Sequence, residues 1–197
     1  TLFPYTTLFR SLMSSNAHLK DNRRHNIITA SQAWGAVYER QKLWREKTLR
    51  EPPFAGNEMT QWGNDHEEIA LRAFEKHMND ICENGNKLIV HPDLPIGASA
   101  DAFLNGIPVE IKCPFTQKIY PTIPDRYWVQ MQIQMLCSNA VAAHFVVWTP
   151  EEFHTELVQY DKEFIDWYIP KAEEFLAYVA EDKEPPRYKR KPEFNFN

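Results

Sequence analysis

Residues 100–112 read Ala-Asp-Ala-Phe-Leu-Asn-Gly-Ile-Pro-Val-Glu-Ile-Lys, and the Asn105-Gly106 pair at their centre decides the fold. Asn-Gly between two apolar runs is the strongest short-range signal for a two-residue β-hairpin, because both central residues of that turn need positive φ. With the turn there, Leu104 faces Ile107, Phe103 faces Pro108, Ala102 faces Val109, and Asp101 faces Glu110. The Cβ atoms of the two acids then lie roughly 5 Å apart on one face of the sheet. Alternation puts Lys112 on that same face and turns Val109, Ile111 and Cys113 toward the other, apolar one. Directly opposed carboxylates destabilise a sheet unless something offsets their repulsion. A divalent cation does so, and a neighbouring ammonium helps. Mg²⁺, with Mn²⁺ able to substitute, suits such hard oxygen donors. The bland alternative is a surface hairpin with solvated charges. It fits less well, because the second strand sits between apolar runs.

Working outward, a helix is expected from near Gln32, capped by Thr29 with Gln32 or by Ser31. Residues 51–56 (Glu-Pro-Pro-Phe-Ala-Gly) break it. A long helix runs from about Asn57 to about Asn79. Strands follow near Lys87–His91, Ala98–Leu104 and Ile107–Lys112. After a proline-bearing loop, Asp125 caps a helix to about Ser138. Val141–Trp148 and Glu156–Tyr160 read as strands, and Lys162–Ala180 as a closing amphipathic helix. This order predicts an α/β fold, a mixed sheet flanked by helices.

The composition agrees with a folded domain. Of 197 residues, 43% are hydrophobic and 25% charged. Acids outnumber bases 27 to 22, a net charge of −5, which argues against non-specific coating of nucleic acid but leaves room for a local basic track. Three cysteines without a CxxC pair make neither a disulfide framework nor a zinc site and point to a reducing cytoplasm. They also fall short of the four thiolates of an iron–sulfur cluster. No apolar run is long enough to span a membrane. The opening stretch TLFPYTTLFRS lacks an acid, a cap and a period, and matches the translation of a common sequencing adaptor. Residues 1–12 are therefore expected to be an artefact, with a single domain over 13–183 and an extended tail over 184–197.

Two further features bear on the acid pair. On the long helix, Glu67 shares a face with Ala70, Leu71, Phe74 and Met78, whereas Glu68 shares one with Arg72, Glu75 and Lys76. Glu67 therefore points inward, where it needs a partner: the Asp101–Glu110 pair, or a buried lysine or backbone group. On the helix after Asp125, periodicity sets Gln132 within the stripe of Trp128, Met131, Met135 and Leu136, with Gln130 and Gln134 opposite.

Asp101, eight intervening residues and then Glu110-Ile111-Lys112 match the PD-(D/E)xK nuclease pattern, with Ala100 where proline is usual. Around it stand Ile28-Thr29-Ala30-Ser31, Trp62-Gly63-Asn64-Asp65-His66-Glu67, Glu110 to Thr116, and Tyr127-Trp128-Val129-Gln130-Met131-Gln132. In this order they resemble the lambda exonuclease and YqaJ-type viral recombinase family, over most of Arg24–Tyr160. The resemblance implies a restriction-endonuclease-like fold. It also implies a metal-dependent 5′→3′ exonuclease on double-stranded DNA ends, which releases 5′ mononucleotides and leaves 3′ single strands for an annealing protein. By this resemblance Asp101 and Glu110 bind metal by side chain and Ile111 by its carbonyl. Glu67 completes a second metal position, directly or through water. Lys112 orients the attacking water and helps deprotonate it. Gln130 belongs to the active site, with Gln132 second, and Arg24 and Ser31 clamp the terminal 5′ phosphate. Asn26 stands where the family often has glycine. The resemblance further implies a host-cell cytoplasmic, phage- or prophage-encoded protein, with a homo-oligomeric ring among the forms its relatives take. No GxxxxGK[ST] loop is present, so ATP is not expected. The rival readings are an endonuclease of the same fold and a non-catalytic DNA-binding or host-inhibiting module.

Overall fold

The computed structural model describes residues 26–52, 55–188 and 192–196. The expectations for residues 1–12 and for Arg24 lie outside the described residues. The Asn105-Gly106 turn forms as its sequence requires, with φ of +53° and +80° at the two central residues, the type I′ pattern. Strands β5 (Ala102–Leu104) and β6 (Ile107–Lys112) pair in the register anticipated, Ala102 with Val109 and Leu104 with Ile107.

The hairpin is the centre of a five-stranded mixed sheet. β2 (Glu83–Asn84) borders β5, and β6 runs parallel to β7 (Ala142–Trp148), which pairs antiparallel with the outer strand β8 (Phe153–Gln159). A smaller sheet joins β1 (Ile28–Thr29), β4 (Ile96–Ala98) and β3 (Ile89–Val90). The expected strand Ala98–Leu104 is thus two strands in two sheets, broken over 99–101. The break has a tertiary cause. Gly85 lies so close that a Cβ on it would stand 2.2 Å from the Ala100 carbonyl oxygen. Asn86 N–H donates to that oxygen at 2.8 Å, and Asp101 N–H to Val109 O at 3.1 Å.

Helices cover both faces of the larger sheet. A 3₁₀ turn (Ala30–Gln32) leads into α1 (Ala33–Tyr38) and α2 (Arg40–Lys47), so the expected first helix is interrupted at Glu39, whose φ and ψ are −129° and 38°. Thr29 N–H donates to Gln32 Oε1 at 3.4 Å, as that capping reading expects. Buried Lys47 donates to the Ile27 carbonyl at 2.6 Å and ties α2 to β1. α3 (Glu58–Met78) is capped by the Asn57 side chain. Its Ala70 and Phe74 pack on Val109, Ile111 and Cys113, the apolar face of β6. Glu75, placed by periodicity on the solvated face, is instead buried, because its carboxylate accepts the Cys82 N–H at 2.9 Å.

α4 (Asp125–Ser138) covers the opposite face. Pro124 holds its N-cap position and Asp125, the expected cap, is its first helical residue, so the helix starts one place earlier than expected; the preset φ of proline suits the entry. Met131 and Met135 of α4 pack on Phe145 and Val147 of β7. Val129 and Ile133 face a second core shared with α1, α2 and α5 (Lys162–Ala180). Residues 192–196 lie outside helices and strands and carry Phe194 and Phe196 onto that helical layer, with ring centroids 5.3 Å from Phe164 and 5.7 Å from Trp128 respectively. No helix among the described residues is long and apolar enough to cross a membrane.

Candidate active site

β6 presents Glu110 toward α4, and Glu110 is only 1% exposed. Burying a carboxylate demands donors on both oxygens, and the structure supplies three. Oε1 accepts from the Lys112 ammonium, two residues along the same face, and from Gln130 Nε2 at 2.7 Å. Oε2 accepts from Gln134 Nε2 at 2.5 Å. Gln134 also donates to the Ser99 carbonyl at 3.1 Å, so one amide bridges the strand break to the acid.

Asp101 sits at that break and its Oδ2 accepts the Ile111 N–H at 2.7 Å. Burial pushes its carboxyl well above the usual carboxylate range, and the facing Glu110 adds to the rise. Lys112 and the Ile111 N–H pull the other way without cancelling it. Lys112 carries the mirror image of this field. Burial works against its ammonium, but Glu110 and Asp101 hold its pKa above the ordinary lysine value. The ammonium also lies 4.8 Å from the centroid of the Tyr127 ring.

Glu67 comes from α3 into the same field. Burial raises its pKa, Lys112 lowers it, and Glu110 and Glu68 raise it again. Glu68 is exposed and pairs with Arg72, as its helix face requires. Asp101, Glu110, Ile111, Lys112, Gln130 and Glu67 are therefore brought together. Gln132 is not with them: its Nε2 donates to Gln159 O at 2.9 Å and its Oε1 accepts Asp161 N–H at 2.8 Å, which locks α4 to the start of α5. Ser31 is exposed on the 3₁₀ turn and lines a cleft of about 560 Å³ with Trp34, Lys42, Arg126, Tyr127 and Gln130. Gln130 thus reaches the cleft on one side and the buried acid on the other.

Gln134 is the residue that sequence reasoning passed over. Its signal was present, because it follows Gln130 by four positions and so shares its face. The buried Ser99 hydroxyl beside it finds no hydrogen-bond partner among the described residues, and neither does Gln134 Oε1. Among the described residues no three acidic, histidine or cysteine side chains gather in one metal-binding cluster. The donors present are two neighbouring carboxylates, Asp101 and Glu110, with Glu67 in the same electrostatic field. These are hard oxygens, and burial together with the neighbouring Glu110 already raises Asp101; a divalent cation of the Mg²⁺ or Mn²⁺ type suits such donors.

A family model described as the YqaJ-like viral recombinase domain matches residues 20–141. No curated protein sequence matches the chain. Among solved structures, LHK-Exo in complex with dAMP aligns with a TM-score of 0.69 at 24% identity, over 81% of this chain and 90% of that one. The alkaline exonuclease LHK-Exo from Laribacter hongkongensis aligns with a TM-score of 0.69 at 22% identity, over 88% and 93% of the two chains. A phage related exonuclease from Haemophilus somnus 129PT aligns with a TM-score of 0.65 at 17% identity, over 86% and 97%. The mixed sheet flanked by helices that the element order predicted is the fold of these exonucleases, the restriction-endonuclease-like class that the family resemblance implied. With more than half of its length matched by that family model, the chain belongs to the YqaJ-like viral recombinase family.

Proposed function

We propose that this chain is a metal-dependent, ATP-independent 5′→3′ exonuclease on double-stranded DNA, hydrolysing phosphodiesters to 5′ mononucleotides and leaving a 3′ strand for an annealing protein. One observation carries the reading: Asp101 lies beside Glu110, Lys112 donates to the Glu110 carboxylate, and Gln130 joins that carboxylate to an open cleft. Family membership supports a nuclease, and the dAMP held by one fold neighbour supports a mononucleotide product.

The chain's own groups divide the work. Asp101 and Glu110, with the Ile111 carbonyl and Glu67, would hold divalent cations. When bound, these supply Lewis acidity toward the attacking water and the leaving 3′ oxygen. Lys112, held charged by the two acids, orients that water and stabilises negative charge growing on the phosphate. Gln130 and Gln134 fix the Glu110 carboxylate so that its oxygens keep one orientation. Ser31, which lines the cleft, and Arg24 hold the terminal 5′ phosphate, the arginine through a bidentate fork.

The test uses linear duplex DNA bearing a 5′ phosphate, with Mg²⁺ or with EDTA, beside a closed circular plasmid. Mg²⁺-dependent loss of the linear duplex from its 5′ ends, with the circle intact, is expected. Lys112→Ala is expected to lower that rate by two orders of magnitude or more, on the scale of a lost electrostatic contact to the reacting group. Cutting of the circle makes the protein an endonuclease. An inert protein, or full activity in Lys112→Ala, overturns the reading.

A further inference from the structure

One row of α4 runs from the buried acid to solvent. Gln134, Gln130 and Arg126 recur at four-residue steps, so they share a face and rise about 6 Å per step along the axis. Gln134 is buried on Glu110 Oε2, Gln130 is half-buried on Oε1, and Arg126 is exposed. Gln130 and Arg126 both line the 560 Å³ cleft. Arg126 is exposed and makes no ion pair among the described residues.

The opposite wall carries a different charge. Glu39, Lys42 and Glu46 line it, with Lys42 three residues after one acid and four before the other. That wall sums to a net negative charge and repels a polyanion. A phosphate backbone entering the cleft is therefore driven to the α4 side, where the row ends in an arginine. A guanidinium suits this place, since its planar fork binds phosphate oxygens in pairs and stays charged at any working pH.

We propose that Arg126 is a second phosphate contact: it takes the backbone phosphate that neighbours the scissile one along the strand passing Gln130. This rests on the nuclease reading for the identity of the polyanion, and it names a residue that fixes affinity for the strand rather than the chemistry. Arg126 touches neither the acid pair nor Lys112 in the structure, so its contribution belongs to binding and to the salt dependence of binding.

The experiment titrates a fluorescent, blunt, 5′-phosphorylated duplex at several salt concentrations with Mg²⁺, in the Lys112→Ala background so that the DNA stays intact. Each neutralised phosphate contributes about 0.9 to the slope of log affinity against log salt. Arg126→Gln is expected to lower that slope by about 1 and to weaken binding roughly tenfold at low salt. Arg126→Lys keeps the charge and is expected to retain the slope. The side chain is exposed, so the urea midpoint of Arg126→Gln stays that of the parent. An unchanged slope in Arg126→Gln overturns the proposal, whatever the chain cleaves. If the slope falls while the wild-type chain cleaves nothing, the nuclease reading fails and the phosphate contact stands. If the parent does not bind the duplex, both fall.

Discussion

Glu110 is the most constrained side chain of the site, and its three donors set what each neighbouring glutamine is worth. A hydrogen bond to a buried charge contributes about 1.5–3 kcal/mol, and stripping a donor leaves the carboxylate to bear its own desolvation. Gln134→Leu removes the donor to Oε2 and the one to the Ser99 carbonyl together. It is expected to cost about 1–3 kcal/mol, read as a lower urea midpoint at unchanged m. Gln132→Leu is expected to cost a similar amount, since Gln132 also makes two buried bonds, but to the β8–α5 junction. The two part in catalysis: assayed where both are folded, Gln134→Leu is expected to lose most of its nuclease rate and Gln132→Leu to keep it. Full nuclease activity in Gln134→Leu would mean that the Glu110 carboxylate needs no support from Gln134. Periodicity could separate these glutamines into two faces but could not say which face met the acid. That answer depends on how α4 lies on the sheet, a tertiary fact with no local code.

The hairpin and the strand that feeds it show where local chemistry suffices and where it does not. Asn105-Gly106 needs positive φ and obtains it, so the turn and the register from Ala102–Val109 to Leu104–Ile107 were legible in one dipeptide, whereas Asp101 lies beyond the paired residues, at the break. The break over 99–101 was not legible, because apolar alternation continues through it. There Gly85 passes close to Ala100 and Asp101 and Asn86 N–H donates to the Ala100 carbonyl, contacts distant in sequence. These two glycines therefore give contrasting predictions. At Gly106 an added Cβ meets nothing within 4 Å, so Gly106→Ala costs only the left-handed backbone, about 1–2 kcal/mol, and is expected to leave cleavage intact. At Gly85 the added Cβ would stand 2.2 Å from Ala100 O and 2.6 Å from the Asp101 carbonyl carbon. Backbone must then shift, at about 1–3 kcal/mol, and the shift falls on a residue of the acid pair. Comparable urea midpoints with activity lost only in Gly85→Ala are expected. Retained activity in Gly85→Ala would show that Asp101 tolerates displacement.

At the scale of the whole molecule, the sheet lies between α3 and α4, and each helix hands one kind of group to its rim: an acid from α3, amide donors from α4. The sequence placed Glu67 on the inward face of its helix, and the packing of Ala70 and Phe74 on the apolar side of β6 explains why that face meets the hairpin. A net charge of −5 looks unfavourable for a DNA enzyme, but the acids at the rim are groups that a cation would offset. Burial first and the neighbouring Glu110 second raise the pKa of Asp101, so without a cation the fold carries their repulsion on top of the cost of burial. Two opposite effects then follow for Asp101→Asn. The amide oxygen can still accept the Ile111 N–H, and one of two facing charges is gone, so the metal-free variant is expected to be at least as stable as the wild type. A ligand that binds only the folded chain stabilises it by about 2.7 kcal/mol at a hundred times its Kd, which for a chain of this size raises Tm by roughly 5–10 °C. Titration with Mg²⁺ or Mn²⁺ is expected to give the wild type a shift of that order, which EDTA reverses, and to leave Asp101→Asn flat. A thermal melt in EDTA and in excess Mg²⁺ measures both effects on the same two proteins. A wild-type melt indifferent to the cation, or an Asp101→Asn melt that rises with it as the wild type does, would remove the acid pair as the seat of metal binding and leave its repulsion to Lys112 alone.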